Sequence, residues 1–388
     1  MALKISVEHR RGFLTLNIAF EAPSLGMSVL FGPSGAGMSF MLAAIAGLQR
    51  AHHVHVELDG EVLHTLPAHR RRIGMVFPEG RLFEHMSVEQ NLLFGLRRAP
   101  KEAPPTLDIR HTARAPSAGG HAVMARSGSI RGEKTLAPLL PGDVADLLGL
   151  QKLLKRRPAT LNVSERQRVA IGRALLARPR LLLMDDPLAA LDEPQRDETL
   201  HYLQRLRDVV PIPVMYATHA LAETYRLANF VVLLEGGQVL GAGLLTELAS
   251  RVDLPLAERP DASAVLLGHV HSHAPTRGLS GVECGNHIID VTLCDFAEDA
   301  PVRVLVPARE VMLALEPPRG IGANNVIPGM VCSLRHDAAT HAALVEIEFG
   351  GGQLLAHMAS DAARRLHLQP GDRVHVMIKS ASAVVIAG

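Results

Sequence analysis

Eight consecutive residues, Gly32-Pro33-Ser34-Gly35-Ala36-Gly37-Met38-Ser39, constrain this chain more than any other stretch. They fit the phosphate-loop pattern G-x-x-x-x-G-K-[ST] at every place except that of the lysine, which Met38 occupies. The glycines let successive backbone N–H groups curl around an anion. Ser39 offers a hydroxyl to a magnesium ion. Ser28 to Phe31 reads as a strand running into the loop, and Ser39 to Leu48 as the helix that follows. That strand–loop–helix context is what the pattern requires. The shape of a nucleotide site is therefore expected, without the charge that usually serves it.

The surrounding sequence alternates strand-like and helical runs. Phe13 to Phe20 alternates as a half-buried strand does, and Leu181 to Asp185 is an apolar run ending in an acid. Pro213 to Thr218 is a strand ending at His219, and Phe230 to Leu234 with Gln238 to Leu240 forms a hairpin around Glu235-Gly236-Gly237. Val144 to Leu154 and Ser164 to Ala177 carry helical spacing. This predicts an α/β fold with a mainly parallel sheet over residues 1–245. Residues 99–140, punctuated by prolines and glycines, read as a flexible, slightly basic insertion. Beyond residue 255 short strands dominate. Arg303-Val304-Leu305-Val306-Pro307-Ala308-Arg309 resembles Arg373-Val374-His375-Val376-Met377-Ile378-Lys379, which suggests a small β-barrel tail over 255–388.

A chain of 388 residues suggests two or three domains. Forty basic against 39 acidic side chains argue against a general nucleic-acid binder. Cys284, Cys294 and Cys332 lack C-x-x-C spacing and suit packing in a reducing cytoplasm. The N-terminus reads without a signal peptide, and no apolar run reaches the roughly 18 residues of a membrane span. Any membrane role is expected to come through a partner.

Glu165-Arg166-Gln167-Arg168-Val169-Ala170-Ile171-Gly172-Arg173-Ala174-Leu175 and Met184-Asp185-Asp186-Pro187-Leu188-Ala189-Ala190-Leu191-Asp192 complete an ordered series with the loop and His219. Over residues 1–245 this series resembles the nucleotide-binding subunits of ABC transporters, closely and specifically. Gly80-Arg81-Leu82-Phe83-Glu84-His85-Met86-Ser87-Val88-Glu89-Gln90-Asn91-Leu92 is similar to the molybdate-import branch. So are Asn325-Val326-Ile327-Pro328-Gly329 and Ile378-Lys379-Ser380, which place an oxyanion-binding, OB-like module over 320–388. The resemblance implies a P-loop domain with a helical subdomain, followed by that barrel. It implies ATP and magnesium as cofactors, with Ser39 and Asp185 toward the metal. It also implies membrane-spanning permease subunits and a periplasmic binding protein as partners, a homodimer, and a place at the cytoplasmic face of the membrane. Molybdate or tungstate is the implied oxyanion, with Asn325, Lys379 and Ser380 as its candidate ligands.

Set against that family, the chain departs where the family touches nucleotide. The lysine is Met38, whose loss removes a charge-assisted contact of roughly 1.5–3 kcal/mol. The coupling glutamine falls at Pro78, which has neither an amide side chain nor an N–H. The signature L-S-G-G-[QE] reads Leu161-Asn162-Val163-Ser164-Glu165, with β-branched Val163 where a glycine permits close approach. Asn162 and Ser164 are still suited to capping the helix. The glutamate that polarises water is Asp186, pulled back by roughly 1.5 Å. His219 is intact. In the tail, Gly322 and Asn324 replace the family's serine and arginine.

Three readings follow. The first is a molybdate-import type subunit with lost or greatly reduced hydrolysis and weakened ATP binding. The second is a working ATPase that borrows a cation from Arg10, Arg11 or a partner. The third is an oxyanion-binding or regulatory protein that uses the tail.

Overall fold

The apolar runs Met27–Phe31, Leu181–Asp185 and Val214–Thr218 are buried at every residue. Uninterrupted burial belongs to strands covered on both faces, the condition of a parallel sheet. The computed structural model describes residues 2–12, 14–99, 106–108, 136–337 and 339–388. It divides into two units, Met1–Ala242 and Gly243–Gly388.

The strands of the first unit are β1 (Ala2–Arg11), β2 (Leu14–Pro23), β3 (Met27–Phe31), β4 (His53–Leu58), β5 (Glu61–Val62), β6 (Ile73–Val76), β7 (Thr106–Asp108), β8 (Leu136–Pro138), β9 (Leu181–Asp185), β10 (Val214–Thr218), β11 (Phe230–Glu235) and β12 (Gln238–Leu244). Ten of them form one sheet in the order β5-β4-β1-β2-β12-β11-β3-β10-β9-β6. Its β11-β3-β10-β9-β6 portion is parallel, while β1, β2, β4 and β5 pair antiparallel. β7 and β8 form a separate two-stranded ribbon. The rest of the expected insertion, residues 100–105 and 109–135, lies outside the described residues, as does Phe13.

The helices are α1 (Met38–Ala46), α2 (Val88–Arg98), α3 (Pro141–Leu147), α4 (Val163–Leu176), α5 (Glu193–Val209) and α6 (Leu221–Leu227); α1, α4 and α6 pack on strands of the sheet, α2 packs on α4, and α3 packs on α4 and α5. The helical spacing from Val144 to Leu154 resolves into α3 and a separate 3-10 turn at Gln151–Leu153. A turn at Gly149 separates them, with its N–H bonded back to Asp146. α1 packs on β1, β4, β6 and β9 through Met41, Leu42 and Ile45, all fully buried. Its C-terminal end is held by Arg71. That buried guanidinium donates to the carbonyls of Ile45 (2.7 Å), Ala44 (3.2 Å), His64 (2.9 Å) and Leu66 (2.9 Å). A cation at this end also complements the helix dipole.

The second unit adds the short helices α7 (Leu245–Leu248), α8 (Pro255–Glu258) and α9 (Ser360–Arg365). Its strands are β13 (Ser263–Ala274), β14 (Leu279–Cys284), β15 (His287–Thr292), β16 (Pro301–Pro307), β17 (Met312–Ala314), β18 (Asn325–Asp337), β19 (Ala342–Phe349), β20 (Gly352–Ala359), β21 (Arg373–Ile378) and β22 (Val384–Ala387). Two five-stranded sheets result, β15-β14-β13-β16-β22 and β17-β21-β18-β19-β20. They share one apolar core that includes Val270, Val304, Val345 and Val376. The architecture is the α/β P-loop domain followed by a small β-barrel-like tail. The two similar segments noted in the sequence fall on β16 and β21, in different sheets. Their first arginines differ in environment, since Arg303 is buried and Arg373 exposed.

Candidate functional site

Parallel pairing decides where the chemistry can gather. Phe31 stands opposite Thr218, Asp185 opposite Ala217, and Val76 opposite Met184. The carboxyl ends of β3, β10, β9 and β6 therefore lie along one edge of the sheet. The residues that follow each strand are Gly32, His219, Asp186 and Phe77-Pro78. Open α/β sheets bind ligands at such an edge.

The loop has little freedom to be anything else. A Cβ on Gly32 would lie 2.3 Å from the Leu234 carbonyl oxygen, so the backbone passes too closely for any side chain. Gly37 has φ 90°, and its Cβ would meet a Leu16 methyl at 2.3 Å. Gly37 caps α1 without a side-chain hydrogen bond. The first N–H groups of α1 are thus left facing outward from the loop, the arrangement that favours an anion. Pro33, Ser34 and Gly35 are exposed, and Ala36 is buried. Met38 is half-buried and packs against the apolar cluster of the sheet rather than standing free.

Ser39 Oγ donates to Asp185 Oδ1 at 2.8 Å. A hydroxyl beside a carboxylate is a hard-oxygen pair of the sort magnesium takes, together with phosphate oxygens and water. These two residues would hold the ion, whose chemistry is to neutralise phosphate charge. Pro78 adds no side-chain oxygen to the set. Among the described residues, no group of three or more His, Cys, Asp or Glu converges on a metal-sized site. His219 Nδ1 lies 3.0 Å from Asp186 Oδ2, so these neighbours are joined to each other. Asp186 sits at φ 40°, in the left-handed region.

Burial, the largest cause, pushes the Asp185 carboxyl above its ordinary range, and Asp186 and Glu79 push it further. Ser39 and Arg81 pull it back. Burial likewise raises Asp186 against the pull of His219. Behind them Glu223 is buried and accepts from Thr218 Oγ1 (2.7 Å) and Tyr216 Oη (2.8 Å). Its carboxyl is also raised, first by burial. A raised carboxyl binds more protons in the folded state. Stability therefore falls as pH rises from the unfolded pKa through the folded one, and the penalty persists above it. Asp185→Asn is accordingly expected to raise the melting temperature of the unliganded protein at neutral pH by a few degrees, on the scale of about 2–4 °C per kcal/mol. The gain should shrink in acid. Calorimetry across pH checks this, and a lower melting temperature for the variant at neutral pH would contradict it.

The signature segment lies at the start of α4. Asn162 accepts from the Glu165 N–H (2.7 Å), and Glu165 accepts from the Asn162 N–H (2.9 Å), a closed capping box. Ser164 does not cap. It is fully buried and accepts from Thr199 Oγ1 at 3.4 Å. Leu161 is buried and Val163 exposed. In the tail, the Asn325 amide is spent internally. It accepts from the Asp290 N–H (2.7 Å) and donates to the Asp290 (2.9 Å) and Ile378 (3.2 Å) carbonyls. Ser380 Oγ donates to Asn324 Oδ1 (2.9 Å), and Lys379 Nζ lies 3.9 Å from Glu310. These polar groups join strands and loops to one another.

Glu223 left no signal in the sequence, while Arg173 and Arg81 stand there only as members of the family-like segments, with no role of their own.

A P-loop after a central parallel strand, a strand-end carboxylate pair and a strand-end histidine define an ABC-type nucleotide-binding subunit. The profile described as ABC transporter matches residues 16–189, and that described as TOBE domain matches residues 322–385. The chain belongs to the ABC transporter family, in its molybdate-importer branch. It is similar to the molybdenum import ATP-binding protein ModC of Granulibacter bethesdensis, at 40% identity over 99% of this chain and 98% of the relative. The corresponding protein of Mesorhizobium japonicum is 38% identical over 98% of this chain and 96% of the relative. That of Rhodobacter capsulatus is 37% identical over 96% and 95%.

Proposed function

We propose that this chain is the ATP-binding subunit of a molybdate importer in which ATP hydrolysis is lost or greatly reduced. The observation that carries the reading is the state of the strand-end site. Its scaffold is kept, with Ser39 on Asp185 at 2.8 Å. Its lysine place holds a methionine packed against the core. Phosphoryl transfer is mostly positioning and charge stabilisation, so missing charge matters more than missing shape.

In this reading residues 1–245 form the nucleotide-binding domain and 255–388 the accessory domain, with 320–388 as an oxyanion module. Gly32, Pro33, Ser34, Gly35, Ala36, Gly37 and Ser39 line the phosphates, and Ser39 and Asp185 face magnesium. Asp186 and His219 stand where the reacting water would be. Two copies sandwich ATP at the cytoplasmic face of membrane-spanning permease subunits, which a periplasmic binding protein supplies. Leu161-Asn162-Val163-Ser164-Glu165 of one copy meets the loop of the other. Both composite sites are then impaired. Pairing with an intact partner leaves one site with this chain's loop and the other with its signature.

Weakened ATP binding is expected, because backbone N–H groups and Ser39 remain while the lysine's charge-assisted contact, roughly 1.5–3 kcal/mol, is gone. The test is ATP binding and phosphate release measured on the same protein. Binding without release above an Asp185→Ala control supports the reading.

A further inference from the structure

Glu223, in the first turn of α6, is only 2% exposed. Taking a charge out of water is costly unless partners compensate for it. Both hydroxyls that reach this carboxylate arrive at one oxygen, Oε2: Thr218 Oγ1 at 2.7 Å and Tyr216 Oη at 2.8 Å. An ionised carboxylate only accepts, so both hydroxyls donate. The other oxygen, Oε1, lies 3.7 Å from Arg196 Nε of α5. Arg196 in turn donates to the Leu191 carbonyl at 3.0 Å, in the loop that runs from Asp186 to α5.

The Oε2 side leads to His219. The Thr218 hydroxyl, while donating to Glu223, also accepts from the Ala220 N–H at 3.1 Å. It therefore ties the chain together on either side of His219. The imidazole is 52% exposed and lies 3.0 Å from Asp186. Asp186 is fixed in its turn by its N–H, which donates to the Ala217 carbonyl at 3.0 Å. The contacts close a ring from Glu223 through Thr218, His219, Asp186, Leu191 and Arg196 back to Glu223. A side chain as open as His219 takes its direction from how its backbone is pinned, and the pin is the Thr218 hydroxyl held by a buried acid.

We infer that Glu223 is a positioning residue for His219, acting through the Thr218 hydroxyl. It touches no nucleotide itself. The inference rests on the proposed reading, which puts His219 and Asp186 at the reacting water, beside the terminal phosphate.

The experiment is calorimetric titration of the full chain with MgATP and with MgADP, with the melting temperature of every variant recorded beside it. His219→Ala should weaken MgATP about 10-fold, the lower end for one hydrogen bond to a charged group. MgADP, which lacks the terminal phosphate, should bind that variant and the native chain alike. Thr218→Val keeps the branched shape, removes the hydroxyl, and should lose about 3- to 10-fold for MgATP alone, part of the same contact. It should add nothing further in the His219→Ala background. Glu223→Asp keeps the charge but withdraws the acceptor by roughly 1.5 Å, and should lose as Thr218→Val does. Glu223→Gln keeps an oxygen for both hydroxyls without the charge, and should retain the greater part of the native affinity. The reverse order, with Glu223→Asp native-like and Glu223→Gln impaired, would overturn the inference. So would equal losses for MgATP and MgADP, no loss in Thr218→Val, or a Thr218→Val loss undiminished without His219. Each of these leaves the proposed function standing as long as His219→Ala weakens MgATP. A native chain that takes up no MgATP, or that is unaffected by His219→Ala, would sink the inference together with the reading beneath it.

Discussion

Met38→Lys alone is expected to leave phosphate release close to the native background. A chain also carrying Pro78→Gln, Asn162→Ser, Val163→Gly, Ser164→Gly and Asp186→Glu should release phosphate more than about 1,000-fold faster. Two magnitudes set the size of this effect. A carboxylate misplaced by about 1 Å costs about 100-fold. A charge-assisted contact to phosphate is worth roughly 1.5–3 kcal/mol, again about 10- to 100-fold. Groups that act as one unit are not additive, and restoring one member of a broken set recovers little. Here the set is spread over four strand ends and the start of α4, and Asp186 is already held by His219 at 3.0 Å. Lysine at residue 38 would neutralise phosphate charge, yet the attacking water would still lack its glutamate. Steady-state phosphate release by the two variants checks this. Full activity from Met38→Lys alone would show that the other replacements are tolerated.

The second large effect lies away from the nucleotide. Arg71→Ala should destabilise the first unit by about 3 kcal/mol or more. That estimate counts hydrogen bonds to a charged donor at roughly 1.5–3 kcal/mol each and allows that water replaces some of them. On the scale of about 2–4 °C per kcal/mol, the melting temperature should fall by about 6–12 °C. Four backbone carbonyls depend on this side chain, two of them in the last turn of α1. α1 carries Met38 and Ser39 at its other end, so nucleotide affinity should fall with stability. Arg71→Lys keeps the charge but cannot reach four acceptors, and should recover only part of the loss. Urea or thermal unfolding of both variants measures the effect. A shift below about 0.5 kcal/mol for Arg71→Ala, within the ordinary range of surface substitutions, would contradict it.

Much of this fold was legible because its signals are local. An apolar run such as Leu181-Leu182-Leu183-Met184 admits few placements other than a covered strand. A glycine-rich loop between a strand and a helix fixes the central strand, and parallel pairing then carries Asp185 and His219 to the same edge. Other contacts come only from the assembled chain. Arg70, Arg71 and Arg72 are identical letters, and only the packing of α1 against residues 64–66 shows which one is turned inward. Ser164 reads as a helix cap beside Asn162, but the α4 capping box closes on Glu165, and Ser164 turns to Thr199 of α5. Asn325 looks like a ligand by resemblance, whereas its amide ties β15 to β18 and β21. The joining of Asp186 to His219 depends on strand order, which no spacing along the chain encodes.

The separation of shape from charge at the strand-end site is tested most directly by one preparation assayed two ways. MgATP binding and phosphate release would be measured on the native chain, with Asp185→Ala as the blank. The account predicts measurable binding and no release above the blank. Magnesium-dependent turnover in the native chain that disappears in Asp185→Ala would contradict it.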